Sequence, residues 1–497
     1  MKHRIVAALL VAAMAVMIVP GCGSKSAKST ESTATASDKK VELDPDNPVS
    51  LKIWHYYNGT QQAMFDQLVE EFNSSVGKDE GIYVEEYSYG SVSDLEKAVT
   101  SSMNGEVGAE DLPDMFSSYA DTAYAVQKKD KLVDLSPYFS KKERDKYVDS
   151  YIKEGYLNED KALYLIPVAK STEVLMINKT DWAPFEEATG TTMSELATTE
   201  GITKAAEKYY EWTDSLTPDV PNDGKALYGR DSMSNYFVIG MKQMGTDIFS
   251  VKNGKVVADT DKSKIKRLWE NYYVPYIKGY FAAYGKFRSD DVKTGDILAY
   301  TGSTASAFYF PDEVEAESGA YPIECQIQES PVMEGGKNYR VQQGAGMAVT
   351  KSDEKHEYAS SVFLKWFTKK EQNLRFVSAS SYLPVLKEAN NMKAVDKVIK
   401  DNNIEMNDKT YTCLKTVLQD FNETKFYTAK SGKNGYSMRK VLDYNLSDRA
   451  VADKEAMDTE IAAGASREEE IQKYTSEESF ESWYEDFCKA LSQAADQ

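Results

Sequence analysis

The chain has 497 residues, with 59 lysines and arginines against 79 aspartates and glutamates, and a formal net charge of −20 at pH 7. An acidic balance of this size argues against nucleic acid or an anionic lipid surface as the principal ligand. The length exceeds what one hydrophobic core organises, so we expect about two or three domains.

The first forty residues have the pattern of an export signal followed by a spacer. Lys2 and Arg4 precede an apolar run over residues 5–19, which is too short to span a bilayer but suits a secretory signal. Residues 23–40 are rich in Ser, Thr, Lys and Ala and offer too little apolar surface to fold. We predict a signal peptide over residues 1–21 and a flexible tether over 22–47. The alternatives are an ordinary signal peptide with an incidental cysteine, or an uncleaved N-terminal helix.

The junction between these segments, Gly21-Cys22, resembles the lipobox of bacterial lipoproteins. The resemblance implies that cleavage leaves Cys22 as the first residue and that its thiol is acylated. The chain would then be anchored by lipid to the outer face of the bacterial cell membrane. One acyl chain gives only marginal binding, so stable anchoring requires the additional chains that lipoprotein processing supplies.

Strand and helix patterns alternate after the tether. "VSLKIWHYY" alternates in hydrophobicity and predicts a first core strand that ends before an Asn58-Gly59 turn. A helical pattern over 61–75 and a strand pattern over 82–89 complete a strand-helix-strand unit. Ser93 and Glu96 have capping-box spacing and predict a helix start, and a short strand is expected around Phe116. In such sheets ligands bind where the strands end.

The stretch "ALYLIPVAKSTEVLMINK" has two strand-like halves, 163–168 and 173–178, on either side of Lys170-Ser171-Thr172. A chain that crosses from one lobe to another has this pattern. "YRVQQGAGMAVTK" is a second extended segment, in which Gly344 relaxes the backbone, and an amphipathic helix follows it. We therefore expect two lobes joined by at least these two crossings.

Five motifs in this order resemble the extracellular solute-binding proteins of ABC importers, in the family 1 branch of maltose-type and glycerol-3-phosphate-type receptors. They are "LKIWHYYNG", "LPDMFSSYAD...KLVDLSPYF", "LYLIPVAKSTEVLMINK", "TGDILAYTGSTASAFYF" and "GAGMAVTKSDEKHEYASSVFLKWF...SSYLPVLKEA". The resemblance implies an α/β, two-lobed periplasmic-binding-protein-like fold with hinge crossings and a ligand cleft between the lobes. It implies lobe 1 over 48–168 plus 344–387 and lobe 2 over 169–343 plus 388–497. It also implies a monomer that docks to ABC permease subunits in the membrane.

Motifs for catalysis are missing from the sequence. His356 lies in "HEYAS", which lacks the second histidine of a zinc protease, and neither GxSxG nor GxxxxGK[ST] occurs. Cys325, Cys413 and Cys488 have no metal-like spacing and do not indicate a disulfide framework. We expect no catalytic residue, no metal site and no cofactor. The alternative from another class is an extracellular glycoside hydrolase, because a carboxylate pair has no fixed spacing in sequence.

The expected ligand is a sugar or oligosaccharide, since 33 tyrosines and 6 tryptophans offer flat faces for sugar rings and polar ends for hydroxyls. Trp54 is expected to wall the cleft, although an aromatic residue at that position can equally be core. The full set of candidate ligand contacts lies at predicted strand ends and crossings: Trp54, Tyr57, Asn58, Ser118, Tyr119, Ser171, Thr172, Asn235, Tyr236, Gly302, Ser303 and Gly344.

The alternative ligand is glycerol-3-phosphate or a glycerophosphodiester. The family branch that binds these compounds has a glutamate shortly after its Trp-His pair, where this chain has Asn58, Gly59 and Thr60. Its phosphate-holding arginine has only a loose match in Arg439. A buried phosphate needs a bidentate arginine or helix N-termini, so the sequence favours a carbohydrate.

Overall fold

The computed structural model describes residues 40–157, 161–316 and 319–496. The predicted signal peptide, Cys22 and almost all of the tether therefore lie outside the described residues. Residues Asp38–Gln497 form one compact unit.

The first part of the chain alternates short strands with helices. Its elements are β1 (Val49–His55), α1 (Gly59–Ser74), α2 (Val76–Glu80), β2 (Ile82–Ser88), α3 (Val92–Asn104), β3 (Met115–Ser118), α4 (Ala120–Lys128), α5 (Lys141–Arg144), α6 (Asp149–Glu154) and β4 (Leu165–Pro167). The predicted strand-helix-strand unit is confirmed as β1, α1 and β2. Phe65, Leu68, Val69 and Phe72 recur at helical spacing on α1 and are all buried, which explains why this segment is a helix.

The middle of the chain builds a second set of strands. Its elements are β5 (Glu173–Asn178), α7 (Lys179–Thr189), α8 (Thr199–Ser215), β6 (Tyr228–Arg230), α9 (Met233–Gln243), β7 (Phe249–Lys252), β8 (Lys255–Ala258), α10 (Lys262–Glu270), α11 (Tyr273–Ile277), α12 (Arg288–Lys293), β9 (Ala299–Ser303), β10 (Glu313–Ala316), β11 (Gly319–Pro322), β12 (Cys325–Glu329) and β13 (Tyr339–Val341).

The last part is mostly helical. Its elements are β14 (Gly346–Val349), α13 (Glu354–Phe367), α14 (Lys370–Ser380), α15 (Met392–Asn402), α16 (Asp408–Gln419), β15 (Lys425–Tyr427), α17 (Gly435–Ala462), α18 (Arg467–Tyr474) and α19 (Glu477–Asp496). Short 3-10 turns occupy Met193–Ala197, Thr304–Tyr309 and Lys387–Ala389. Among the described residues, no helix combines the length and apolarity that crossing a membrane requires.

Two sheets define two lobes. Lobe 1 contains a five-stranded sheet in the order β2-β1-β3-β14-β4, and lobe 2 contains a four-stranded sheet in the order β12-β5-β9-β6. In lobe 1 only β14 runs antiparallel to its neighbours, so the carboxyl ends of β1, β2, β3 and β4 share one edge. The two-lobed α/β fold predicted from the motifs is confirmed. Ligands of such sheets bind at the shared edge.

The strand β5 shows why the middle sheet is buried on both faces. All six of its residues are buried. Val174 and Met176 pack into the same hydrophobic cluster as lobe 1, whereas Leu175 and Ile177 pack into the cluster under α8, α9 and α17. A continuous apolar run is the sequence signature of such a strand. The helix α15 packs against α14, and α16 packs against both α14 and β12, so the core is continuous between the lobes.

One predicted helix start is wrong. Ser93 was expected to cap the helix, but α3 begins at Val92, and the side chain of Ser91 accepts the Asp94 backbone N–H at 3.1 Å. Ser91 lies three residues before Asp94 and so provides the capping acceptor, two residues before the predicted Ser93. In the described part of the chain, Cys325, Cys413 and Cys488 are all free thiols.

Candidate ligand-binding cleft

Two chain segments cross between the lobes side by side. β4 belongs to the sheet of lobe 1 and β5 to the sheet of lobe 2, so residues 168–172 cross as the sequence predicts. Ser171 and Gln343 exchange backbone hydrogen bonds of 3.1 and 2.9 Å, and the Thr172 hydroxyl donates to the Val341 carbonyl at 2.7 Å. Gly344 has a φ of 82°, and a Cβ there would lie 2.3 Å from the Ala169 carbonyl oxygen. Only glycine fits where the two crossings approach each other.

A buried ion pair fixes the crossings to lobe 1. The Lys170 ammonium donates to Glu154 Oε2 at 2.8 Å and to the Gly344 carbonyl at 2.7 Å. The two side chains are only 2% and 9% exposed. Gln342 donates to the Ser150 carbonyl at 3.2 Å and so adds a second link between a crossing and α6. Lys170 and Glu154, at the base of the cleft, are thus paired with each other.

The two lobes also touch away from the crossings. The Tyr309 hydroxyl of lobe 2 donates to the Asn58 side chain at 2.9 Å, and the Tyr124 hydroxyl of α4 donates to the Gly254 carbonyl at 3.1 Å. The Arg439 Nε of α17 donates to Asp121 of α4 at 3.2 Å. Burial raises the pKa of the Asp121 carboxyl, although Arg439 opposes this effect. The carboxyl edge of lobe 1 therefore faces lobe 2.

Three tyrosines cluster at this edge of lobe 1. The Tyr56 hydroxyl lies 3.4 Å from both the Tyr382 hydroxyl and the Ala345 backbone N–H, which donates to it. Tyr119 follows β3 at the start of α4 and is half-buried. Burial raises the pKa of all three hydroxyls, so each stays neutral and can donate or accept a hydrogen bond at physiological pH. Neutral hydroxyls beside aromatic faces suit a polar, uncharged ligand.

A cavity of about 270 Å³ lies between lobe 1 and the segment that follows β15. It is lined by Ala120, Ser150, Lys153, Glu154, Tyr156, Gln342, Phe426, Tyr427, Thr428, Ala429, Lys430 and Ser431. Gln342 Oε1 is buried and accepts no hydrogen bond from the described residues. A buried amide oxygen without a donor is costly, so a donor that reaches this atom would stabilise the folded state.

A larger cavity of about 1040 Å³ lies elsewhere in lobe 2, between Tyr210, Tyr276 and Arg467. Its lining includes residues 294–296, which precede β9, and residues 225–226, which precede β6. It therefore lies at the amino edge of that sheet, opposite the edge where the crossings enter. The smaller cavity is the candidate ligand site, because α/β sheets bind ligands at carboxyl ends.

The family model of bacterial extracellular solute-binding proteins matches residues 67–405. The chain belongs to this family. The recognition made from the five motifs is thus confirmed. No curated protein sequence matches this solute-binding protein.

Solved structures share the fold of this solute-binding protein at low sequence identity. The cyclic alpha-maltosyl-1,6-maltose binding protein from Arthrobacter globiformis has a TM-score of 0.62 and 16% identity, over 90% of this chain and 99% of its own. UgpB from Mycobacterium tuberculosis, in complex with glycerophosphocholine, has a TM-score of 0.64 and 16% identity over the same shares. The maltose/maltodextrin-binding domain from Bdellovibrio bacteriovorus, bound to maltotriose, has a TM-score of 0.62 and 12% identity, over 90% and 100%.

The sequence-predicted contacts from lobe 1 and the crossings come together in this solute-binding protein. The ends of β1 and β3 and the two crossings bring one group to a single edge, namely Trp54, Tyr57, Asn58, Ser118, Tyr119, Ser171, Thr172 and Gly344. Within this group Trp54 is 2% exposed and meets Tyr89 edge-on, with ring centroids 5.2 Å apart. The Tyr57 ring is fully buried, whereas Asn58 is exposed and donates to the Gly90 carbonyl at 2.9 Å. Their contact with a ligand stays a prediction.

The predicted contacts from lobe 2 have partners inside that lobe. Asn235 donates to Glu173 Oε1 at 3.0 Å, and the Tyr236 hydroxyl donates to the Leu268 carbonyl at 2.9 Å. Gly302 is closely packed within lobe 2, because a Cβ at this position would lie 2.5 Å from Asp231 Oδ2. The Ser303 hydroxyl accepts a hydrogen bond from the Ala305 backbone N–H at 3.2 Å. Ser303 thereby caps the 3-10 turn Thr304–Tyr309.

Sequence reasoning missed several groups of the cleft. Tyr56 adjoins the predicted Tyr57, and Tyr382 lies in the quoted motif "SSYLPVLKEA", so both were within reach of the motif argument. Glu154 and Gln342 carry no local signal, because Lys170 and Gln342 both donate to Glu154 and meet it only in the fold.

Proposed function

We propose that this solute-binding protein captures a carbohydrate between its lobes and delivers it to the permease of an ABC importer without altering it. The cavity beside the crossings carries the proposal, since Gln342, Tyr156 and Tyr427 line it, and Ala120, the neighbour of Tyr119, brings it to the carboxyl edge of lobe 1. Sugar hydroxyls donate to such an acceptor and stack on such rings. The likeness to sugar-binding structures supports this ligand class at the level of fold.

A glycerophosphodiester is the second candidate, because UgpB shares the fold and its structure contains glycerophosphocholine. Arg439, the loose match for a phosphate ligand, is already paired with Asp121 at 3.2 Å. A phosphate would have to compete with that carboxylate for the guanidinium. The pairing of Arg439 with Asp121 therefore favours an uncharged ligand over a phosphate.

A glycoside hydrolase requires two carboxyl groups that are free to act on the bond. Of the acids beside the crossings and on α4, Glu154 is bonded to Lys170 and Asp121 to Arg439. Paired carboxylates are poor general acids and bases for a substrate. We therefore propose binding without turnover.

A thermal-shift panel of mono-, di- and oligosaccharides, glycerol-3-phosphate and glycerophosphocholine tests the ligand class. A ligand at 100 times its dissociation constant stabilises the folded state by about 2.7 kcal/mol. We expect a carbohydrate to raise the melting temperature and to be recovered chemically unchanged. Stabilisation by glycerophosphocholine alone would favour the second candidate, and a cleaved sugar would identify an enzyme.

Two tyrosine variants test whether the ligand that raises the melting temperature binds in this cleft. Tyr119→Phe removes one hydroxyl at the cleft and should weaken carbohydrate affinity about fivefold, the value of one hydrogen bond. Tyr87→Phe removes a hydroxyl from an exposed tyrosine on β2 and should leave affinity unchanged. Equal affinities of the two variants would argue against this cleft.

We also propose that lipid on Cys22 anchors the chain outside the cell membrane, on the strength of the Gly21-Cys22 junction and the spacer after it. Cys22→Ser should release the protein from membranes or leave uncleaved precursor, because the serine hydroxyl does not replace the thiol in lipidation. Membrane fractionation and mass spectrometry check this. A wild-type chain that is cut elsewhere, with an unmodified Cys22, would contradict the proposal.

A further inference from the structure

His55, Asp66 and Glu86 meet on the face of the lobe 1 sheet that α1 covers. His55 ends β1, Asp66 lies on α1 and Glu86 lies on β2. Glu86 is the register partner of Ile53, two residues before His55, so both side chains leave the sheet on one face. One nitrogen or oxygen atom of each lies within 4.8 Å of the other two. Three proton-exchanging groups are thus brought together by three different elements.

The hydrogen bonds of His55 identify which ring nitrogen carries the proton. The Tyr57 backbone N–H donates to Nδ1 at 3.2 Å, and Nε2 lies 2.6 Å from Glu86 Oε2. Nδ1 is an acceptor, so the proton of the neutral ring is on Nε2 and points to Glu86. A histidine that binds a metal through Nε2 keeps its proton on Nδ1 and donates it to an acceptor. The arrangement therefore suits a proton and not a metal ion.

Neither carboxyl group is paired with a lysine or an arginine among the described residues. Asp66 Oδ1 is buried without a hydrogen-bond partner, and across residues 40–157, 161–316 and 319–496 no lysine or arginine pairs with Asp66 or Glu86. Glu86 from β2 and His55 from β1 are the titratable groups that act on Asp66. On the helices that pack against α1, Arg375 of α14 pairs with Glu71 and Lys365 of α13 pairs with Glu143. Two adjacent carboxyls in this situation favour one shared proton.

Water reaches the cluster through an open groove of about 500 Å³ between α1 and β2. Asp66 and Glu86 line it, together with Glu70 and Glu85. Burial and the neighbouring Glu86 raise the pKa of Asp66 to about 6, while the hydrogen bond from His55 lowers the pKa of Glu86. The proton on the pair can therefore exchange with solvent.

We propose that Asp66 and Glu86 share a proton beside His55 and that this cluster makes the stability of lobe 1 depend on pH. Loss of the shared proton leaves two carboxylates together with no lysine or arginine among the described residues to compensate them. His55 connects the cluster to the cleft, because its ring accepts the Tyr57 N–H and stacks on the Tyr57 ring with centroids 5.0 Å apart. The destabilisation acts at the base of the segment that carries Tyr57 and Asn58.

The direction of the effect follows from the raised pKa of Asp66. Its folded-state pKa of about 6 exceeds the ordinary value of 3.8, so the folded state holds this proton more tightly than the unfolded state. The stabilising contribution is fully present below a pH of about 4 and is lost as the pH rises through about 6. The lowered pKa of Glu86 acts in the opposite direction, so Asp66 must be isolated by a variant.

Melting temperatures of wild type, Asp66→Asn and Glu85→Gln between pH 4.5 and 7.5 test the proposal. The asparagine stays neutral, so the stability of Asp66→Asn relative to wild type should rise by several degrees as the pH increases. Glu85→Gln removes a carboxylate from the same strand and groove and should follow the wild-type profile. A difference between Asp66→Asn and wild type that is the same at every pH overturns the proposal.

The ring nitrogens of His55 give a second measurement on the unaltered protein. Nitrogen NMR of histidine-labelled protein, with His356→Gln to assign the signals, should show the Nε2–H tautomer at pH 7.5. The Nδ1–H tautomer would overturn the proposal. So would Zn²⁺ that raises the melting temperature of wild type but not of Asp66→Asn, because the cluster would then be a metal site.

Discussion

Lys170→Met is expected to lower the free energy of unfolding by about 3–5 kcal/mol, the usual cost of removing one partner of a buried ion pair. The substitution leaves Glu154 charged at 9% exposure and the Gly344 carbonyl without its donor. The loss is a large part of the stability of an ordinary protein. Urea unfolding of the two proteins measures it.

Two further variants distinguish the loss of the buried Lys170–Glu154 ion pair from the loss of a lysine charge alone. Lys141→Met removes a lysine whose partner Asp145 is exposed, with side chains 82% and 60% accessible, and should not change stability measurably. Adding Glu154→Gln to Lys170→Met removes the unpaired charge and should recover part of the loss. If Lys170→Met and Lys141→Met have the same stability, the ion pair does not hold the crossings.

Trp54→Ala is expected to cost about 3–5 kcal/mol of unfolding free energy, the range for emptying a buried aromatic site. At 2% exposure, with Tyr89 against its edge, the ring is part of the core of lobe 1 as well as of its carboxyl edge. We therefore expect the loss of stability to exceed the loss of ligand affinity. Chemical unfolding and calorimetry with the identified ligand compare the two quantities.

A conservative variant and a matched control variant test whether Trp54 acts mainly in the core or in the cleft. Trp54→Phe keeps a ring and should recover most of the stability. Trp182→Ala empties a fully buried site in lobe 2, where the indole N–H donates to Glu186, and should leave affinity intact at temperatures where the variant is folded. An unchanged melting temperature for Trp54→Ala, together with lost binding, would make Trp54 a cleft residue and not a core residue.

Local patterns predicted the elements well where burial is periodic. β1, α1 and β2 follow from alternating and helical spacing, and the crossing follows from two apolar halves around Lys170-Ser171-Thr172. The helix start at Ser93 was wrong because Ser91 provides the capping acceptor two residues earlier. Such ends depend on one hydrogen bond and are decided by neighbouring polar residues that compete for it.

The contents of the cleft were less predictable, because they join distant parts of the chain. Tyr56 and Tyr382 meet across more than three hundred residues, and Asp121 meets Arg439 across a similar separation. His55 has no partner in sequence, and only the pairing of β1 with β2 and the packing of α1 bring Glu86 and Asp66 to it. Periodicity assigns a residue to a face, but it does not say which distant residue the face meets.

Hydrogen exchange with and without the best carbohydrate of the panel tests most directly whether this solute-binding protein holds its ligand between the lobes. The account predicts slower exchange over residues 117–121, 342–345 and 427–431, which surround the cleft at the crossings. Slower exchange over 278–284 and 454–461 instead, beside the larger cavity of lobe 2, would contradict it.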